Sequence, residues 1–382
     1  MTELLLTEEQ RQLSSVVHSL LSDHSPDSRV REIMQTARGF DEPLWTRMAD
    51  ELGICGLAVP EKYGGGGAGF AELAVVLEEL GGSLACVPYF SSVVLAQTLL
   101  LNVDDENARA RWLPRLCSGA VRATVAIAEP GRPWTADGVR LSASKTDTGW
   151  TLSGVKTSVI DGATADVILV IARSGAGLSA FAVAGDAPGL TKTSLPTMDQ
   201  TRKQARLEFG ASPATPLGAI GEAESAFQRL LAIASAALAI EAVGGAQRAL
   251  DMAVGYARTR VQFGRSIGSF QAIKHKCANM LLQVESAKSA AYYARGIVNA
   301  TVKSEVGTLQ PDDDFWLAVS IAKAVCTDAF AHCAAENMQI HGGVGFTWEH
   351  PAHLYFKRAK ANELMFGDPI FHRAAIAELL GI

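Results

Sequence analysis

A chain of 382 residues is too long for one simple core and predicts two or three domains. With 48% hydrophobic and 19% charged residues it is globular rather than disordered. A formal net charge of −6, with no basic run, excludes an electrostatic nucleic-acid binder and a basic membrane-surface patch.

The opening MTELLLTEEQ has no basic segment ahead of an apolar one and does not read as a signal peptide. Residues 1–120 read as an N-terminal helical domain. Thr7 and Gln10 form a capping-box pattern ahead of a face carrying Leu13, Val16, Val17 and Leu20. Phe70–Leu80 is a second helical stretch, ended by Gly81-Gly82, and Leu95–Leu101 belongs to a third. Between them, Gly64-Gly-Gly-Gly-Ala-Gly69 satisfies GxGxxG. It follows Pro60-Glu-Lys-Tyr63 instead of a strand and opens no βαβ unit, so it reads as a flexible loop.

Residues 121–219 change pattern. Short β-branched or apolar runs at Trp150, Asp166, Ser179 and Gln204, separated by Gly, Asp and Pro turns, predict an antiparallel β domain. Residues 220–382 return to helix, with long helices over about 222–261, 268–303 and 312–340. For the last, Gly307 and Pro311 mark the preceding loop, Pro311-Asp-Asp-Asp the start and Gly342-Gly343 the stop. The apolar run Leu230–Ile240 is 11 residues long, against roughly 20 for a membrane span, and predicts a buried core helix. The expected class is α+β and multi-domain, closing in a four-helix-bundle-like domain. Cys55, Cys86, Cys117, Cys277, Cys326 and Cys333 are scattered without CxxC, which fits reduced thiols in a cytoplasmic protein. The histidines show no HExxH or paired ligand spacing, so no metal site is expected.

Four stretches, in this order, resemble the acyl-CoA dehydrogenase family over essentially the whole chain. They are Glu51-Leu-Gly-Ile-Cys-Gly-Leu-Ala-Val-Pro-Glu-Lys-Tyr-Gly-Gly with Val76-Leu-Glu-Glu-Leu-Gly; Ala128-Glu-Pro130; Arg260-Val-Gln-Phe-Gly264 with Phe270-Gln271; and Gln339-Ile-His-Gly-Gly-Val-Gly-Phe346. The resemblance implies FAD, α,β-dehydrogenation of an acyl-CoA thioester, and passage of electrons to an electron-transfer flavoprotein. It assigns Ile127, Glu129, Arg260, Phe263, Gln271, Gln339, Gly342 and Gly343 to cofactor binding, with Arg260 reaching FAD across a subunit interface. Read alone, Arg260 is a cation at a helix C-terminus and Gly342-Gly343 a helix stop.

The chain departs from the family where the chemistry is done. The reaction needs a carboxylate to remove the α proton. The usual base position is Phe366, and the alternative position on the first long C-terminal helix is Ala234. The nearest acid is Glu241, about two turns or roughly 10 Å further along. It is either an unusual base or the buried partner of an arginine, Arg248 or one from a neighbouring helix. The family's Trp-Ile-Thr/Ser-Asn-Gly turn against the flavin is replaced by Ser158-Val-Ile-Asp-Gly162, and the Gly-Ser-Asp after Glu-Pro by Gly131-Arg-Pro-Trp134. The losses fall on the flavin-ring face and the retained residues on the FAD tail. That division resembles the bacterial members that form mixed α2β2 assemblies and act on bulky acyl-CoAs such as steroid side chains. The expected reading is one subunit of such an enzyme; the alternatives are a self-sufficient homotetramer using Glu241 and a non-catalytic acyl-CoA-binding homologue.

Overall fold

The computed structural model describes residues 6–303 and 312–382; the readings of residues 1–5, Gly307 and Pro311 lie outside them. Helices α1 (Glu8–His24), α2 (Asp27–Gln35), α3 (Glu42–Asp50) and α4 (Phe70–Ser83) open the chain. A π-helical stretch, Phe90–Ala96, runs into α5 (Gln97–Asn102), and α6 (Glu106–Cys117) follows. The Thr7 capping box forms, with the Thr7 side chain accepting from the Gln10 N–H and the Gln10 side chain accepting from the Thr7 N–H.

Gly81-Gly82 does not end α4, which continues to Ser83. The glycines serve packing instead. A Cβ on Gly81 would stand 2.0 Å from the Glu241 carbonyl oxygen, and one on Gly244 would stand 1.8 Å from that of Glu78. Two helices therefore cross with their backbones in contact, and that contact fixes Glu241 against the N-terminal helices. The loop 64–69 is also held more tightly than its composition suggests. Gly66, Gly67 and Ala68 donate to the carbonyls of Gly56, Val59 and Leu57 at 2.9, 2.9 and 3.0 Å.

The strands are β1 (Ala123–Ala126), β2 (Ser142–Thr146), β3 (Gly149–Ile160), β4 (Val167–Ser174), β5 (Gly177–Ala184), β6 (Leu190–Ser194) and β7 (Gln204–Leu217). Most pairings are antiparallel, as the short turns require, but β1 lies parallel to β4 and one residue pair of β2 does the same. The ladders β4–β5, β5–β7, β7–β3, β3–β2 and β2–β4 close on themselves around Leu152, Phe181 and Phe209.

The C-terminal part is α7 (Glu224–Thr259), a hairpin of β8 (Val261–Gln262) and β9 (Arg265–Ser266), α8 (Gln271–Lys303), α9 (Asp313–His341), α10 (Ala352–Leu364) and α11 (Pro369–Leu379). The hairpin is invisible to hydrophobic periodicity because its residues are exposed. Two helical stretches, Glu224–Thr259 and Asp313–Phe346, are long and apolar enough to cross a membrane, yet 89% and 72% of their most apolar windows are buried inside the fold. Their apolar surface is used by the core.

Candidate active site

Two separate sets of residues come together. The first is a cleft between the β domain and the turn joining α10 to α11. Its walls include Ile127, Ala128, Ser158, Ile160, Trp134 and Phe366. Positions far apart in sequence that the resemblance assigns to the flavin-ring face and to the base thus converge on one place. The space left among them is about 10 Å³, room for one water at most. The Phe366 ring fills it, stacked on Phe90 at 5.9 Å and meeting Trp134 edge-on at 5.1 Å.

Phe366 has a φ of +58°, an unfavourable conformation for a bulky side chain. The surrounding groups hold it there. His372 Nε2 lies 3.1 Å from the Phe366 carbonyl oxygen, and Lys323 Nζ donates to the carbonyls of Gly367 at 2.9 Å and Asn362 at 3.1 Å. Burial pushes the Lys323 ammonium down to about 8 and the His372 imidazole down to about 4.

Glu129 stands beside the cleft but is turned into the β domain. Its Oε1 accepts from the backbone N–H groups of Arg140 and Leu141, both at 2.9 Å, and from Lys156 Nζ at 2.8 Å. Lys156 also donates to the Ile127 carbonyl at 2.9 Å, so this buried pair shapes the cleft wall from behind. Burial opposes the Glu129 charge, and Lys156 overcomes it and holds the carboxyl below its usual range. Lys156→Met should leave that carboxylate buried without its cation and cost about 3 kcal/mol, read as a lowered unfolding midpoint.

Glu241 is 2% exposed. Its partners are Arg358 of α10, whose Nη1 donates at 2.9 Å, and Arg202 from the loop before β7. Arg358 also donates to Asp199 at 2.6 Å and to the Thr201 hydroxyl at 2.6 Å. Arg248 is not the partner: it lies on an exposed groove beside Tyr355, and only the tertiary fold brings in the two arginines that are. Burial acts to raise the Glu241 carboxyl, but Arg202 and Arg358 outweigh it and hold the group below its ordinary range. A carboxylate so held is a poor proton acceptor.

The second set forms an exposed edge. Arg260 ends α7, Phe263 is at the tip of the β8–β9 hairpin and 91% exposed, and Gln271 is the first residue of α8. Gln339 and the turn Gly342-Gly343 close α9. The rings of Tyr256 and His341 stack at 4.3 Å and join the two groups of helix ends. Gly342 has a φ of +62°, and no atom lies within 4 Å of where a Cβ would stand at Gly342 or Gly343. Backbone is therefore open to close approach there. Exposed arginine, aromatic and amide groups beside open backbone suit a nucleotide pyrophosphate and adenine. An FAD tail fits this edge; an isoalloxazine ring does not fit the cleft as Phe366 and Trp134 occupy it.

Residues 7–120 match the acyl-CoA dehydrogenase N-terminal domain and residues 223–381 the acyl-CoA dehydrogenase C-terminal domain. Among curated proteins, acyl-CoA dehydrogenase IpdE2 of Mycolicibacterium smegmatis is 33% identical over 364 residues, covering 95% of this chain and 96% of its own. Among solved structures, the ChsE4–ChsE5 complex from Mycobacterium tuberculosis contains a chain 30% identical to this one, with a TM-score of 0.88 and coverage of 99% and 98%. A Tcur3481–Tcur3483 steroid acyl-CoA dehydrogenase contains one 29% identical, with a TM-score of 0.86 and 98% of each chain covered.

Proposed function

The chain belongs to the acyl-CoA dehydrogenase family of FAD-dependent oxidoreductases, and from that premise we propose that it is the complementing subunit of a heteromeric enzyme. It lends the edge of Arg260, Phe263, Gln271, Gln339, Gly342 and Gly343 to an FAD whose ring lies in a second, related subunit. That partner supplies the base and most of the acyl pocket. Electrons leave the reduced flavin for an electron-transfer flavoprotein.

The observation that carries this reading is the cleft filled by Phe366 and Trp134. The usual base position is apolar, and Glu241 is committed to two arginines. The likeness to chains of the ChsE4–ChsE5 complex and of a two-component steroid enzyme supports both the mixed assembly and a bulky polycyclic acyl-CoA as substrate. A self-sufficient homotetramer would need the cleft open and Glu241 free.

The test is to purify the chain alone and together with a co-expressed related subunit, measure flavin per chain, and add acyl-CoAs anaerobically. The expected result is no bleachable flavin on the chain alone and one FAD per pair of unlike chains. Flavin that binds the isolated chain and bleaches with an acyl-CoA would overturn the proposal.

A further inference from the structure

The turn Gly342–Phe346 carries the open glycine backbone of the exposed edge, yet it has little packing of its own. Its one buried residue is Gly345, where a Cβ would stand 2.8 Å from the Met338 carbonyl oxygen. Gly342, Gly343, Val344 and Phe346 are exposed. A segment with so few contacts is positioned from its two ends. At the first end His341 closes α9. Its Nδ1 lies 2.8 Å from the Asn337 carbonyl oxygen, and its ring centre is 4.3 Å from that of Tyr256 on α7 and 4.3 Å from that of His350.

At the second end stands Trp348, which is 46% exposed. His353 stacks on its indole at 5.0 Å and 24°, and Lys357 Nζ lies over the ring at 4.8 Å. These two residues are neighbours on one face of α10 and so meet the ring together. A third group comes from the N-terminal domain. The Arg31 guanidinium of α2 lies over the same ring at 5.7 Å, and its Nη2 is 3.5 Å from His353 Nε2. His353 Nε2 is also 3.2 Å from the Trp348 carbonyl oxygen, so both the ring and the backbone of Trp348 are held. Two cations and an imidazole on one indole tie α2 and α10 to the end of the turn. The family resemblance assigns none of these residues to the cofactor.

We propose, resting on the assignment of this edge to the FAD tail, that Trp348 is a positioning residue for FAD and that Arg31 acts through it. Backbone that receives a pyrophosphate has to be held to within about half an ångström. A turn free at one end is ordered only when FAD binds, and that ordering is subtracted from affinity. The clamp on Trp348 orders the turn beforehand. It also gives the N-terminal domain a part in cofactor binding: Arg31 is not among the edge residues, but it fixes the ring that fixes the turn.

The test is FAD titration of the mixed enzyme carrying Trp348→Leu, Trp348→Phe, Arg31→Met or Arg260→Ala in this chain. Trp348→Leu should weaken FAD binding about tenfold, the worth of two cation–π contacts. Trp348→Phe keeps a ring for His353 and both cations, and should bind FAD within about threefold of the wild type. Arg31→Met should weaken binding in the same direction and add little to Trp348→Leu, because both remove one contact. Wild-type affinity in Trp348→Leu, a Trp348→Phe variant as weak as Trp348→Leu, or full additivity with Arg31→Met would each overturn the clamp. Arg260→Ala separates the two levels. If it weakens FAD binding while Trp348→Leu does not, the edge stands and the clamp falls; if neither weakens it, the assignment of the edge to FAD falls and the clamp with it.

Discussion

Arg358→Met should destabilise the chain by about 3–5 kcal/mol, the cost of leaving a buried ion pair half-broken. Arg358 is 3% exposed and bonds Asp199, Thr201 and Glu241 at once. Its loss leaves Asp199 without its cation and Glu241 with Arg202 alone. Glu241 gives the complementary result. Arg358 and Arg202 use different oxygens of Glu241, so Glu241→Gln keeps an acceptor for one guanidinium and turns a donor NH2 toward the other. It should destabilise the chain as well, because it leaves the buried Arg202 without its carboxylate, yet the mixed enzyme carrying it should turn over at an unchanged rate per bound flavin. A base in that position predicts the reverse: a folded, flavin-loaded enzyme without turnover. Denaturant unfolding of the two variants and flavin reduction by acyl-CoA separate the readings, because stability follows the ion cluster and turnover follows the base.

The same cluster illustrates what a sequence conveys. The long helices are legible because Leu, Ile and Ala recur at the helical period. The sheet is legible because β-branched runs alternate with turn residues. Periodicity also marks Glu241 as an acid in an apolar stretch, for which a buried arginine partner is a natural inference. The choice of arginine is not legible. Arg248 lies on the same helix two turns away, whereas Arg202 and Arg358 are 39 and 117 residues distant, and only the packing of three domains brings them together. Gly81-Gly82 misleads for a related reason. Glycine favours a helix stop locally, but here it permits two helix backbones to touch. The filled cleft is half legible: Phe366, Ser158 and Ile160 stand out as replacements, while the closing of the space by Trp134 against Phe366 depends on the path of an irregular loop.

The exposed edge supplies the other large effect. Arg260→Ala should weaken FAD binding by the mixed enzyme about tenfold to a hundredfold, the worth of hydrogen bonds to a charged phosphate at roughly 1.5–3 kcal/mol. It should leave the unfolding of this chain almost unchanged, because an exposed residue at a helix end contributes little to the core. Phe366→Glu provides the complementary measurement. It restores a carboxylate at the usual base position, but Trp134 still closes the cleft, and the introduced carboxylate would lie among Phe90, Met365 and Ile127 without a cation. The substitution should therefore add no flavin to the isolated chain and should destabilise it. If Arg260→Ala releases flavin from the assembly while Phe366→Glu recruits none, the edge is the working surface of this subunit and the cleft is sealed. If Phe366→Glu makes the isolated chain bind and reduce FAD, the cleft is a complete site lacking only its base, and the division of labour between two subunits fails.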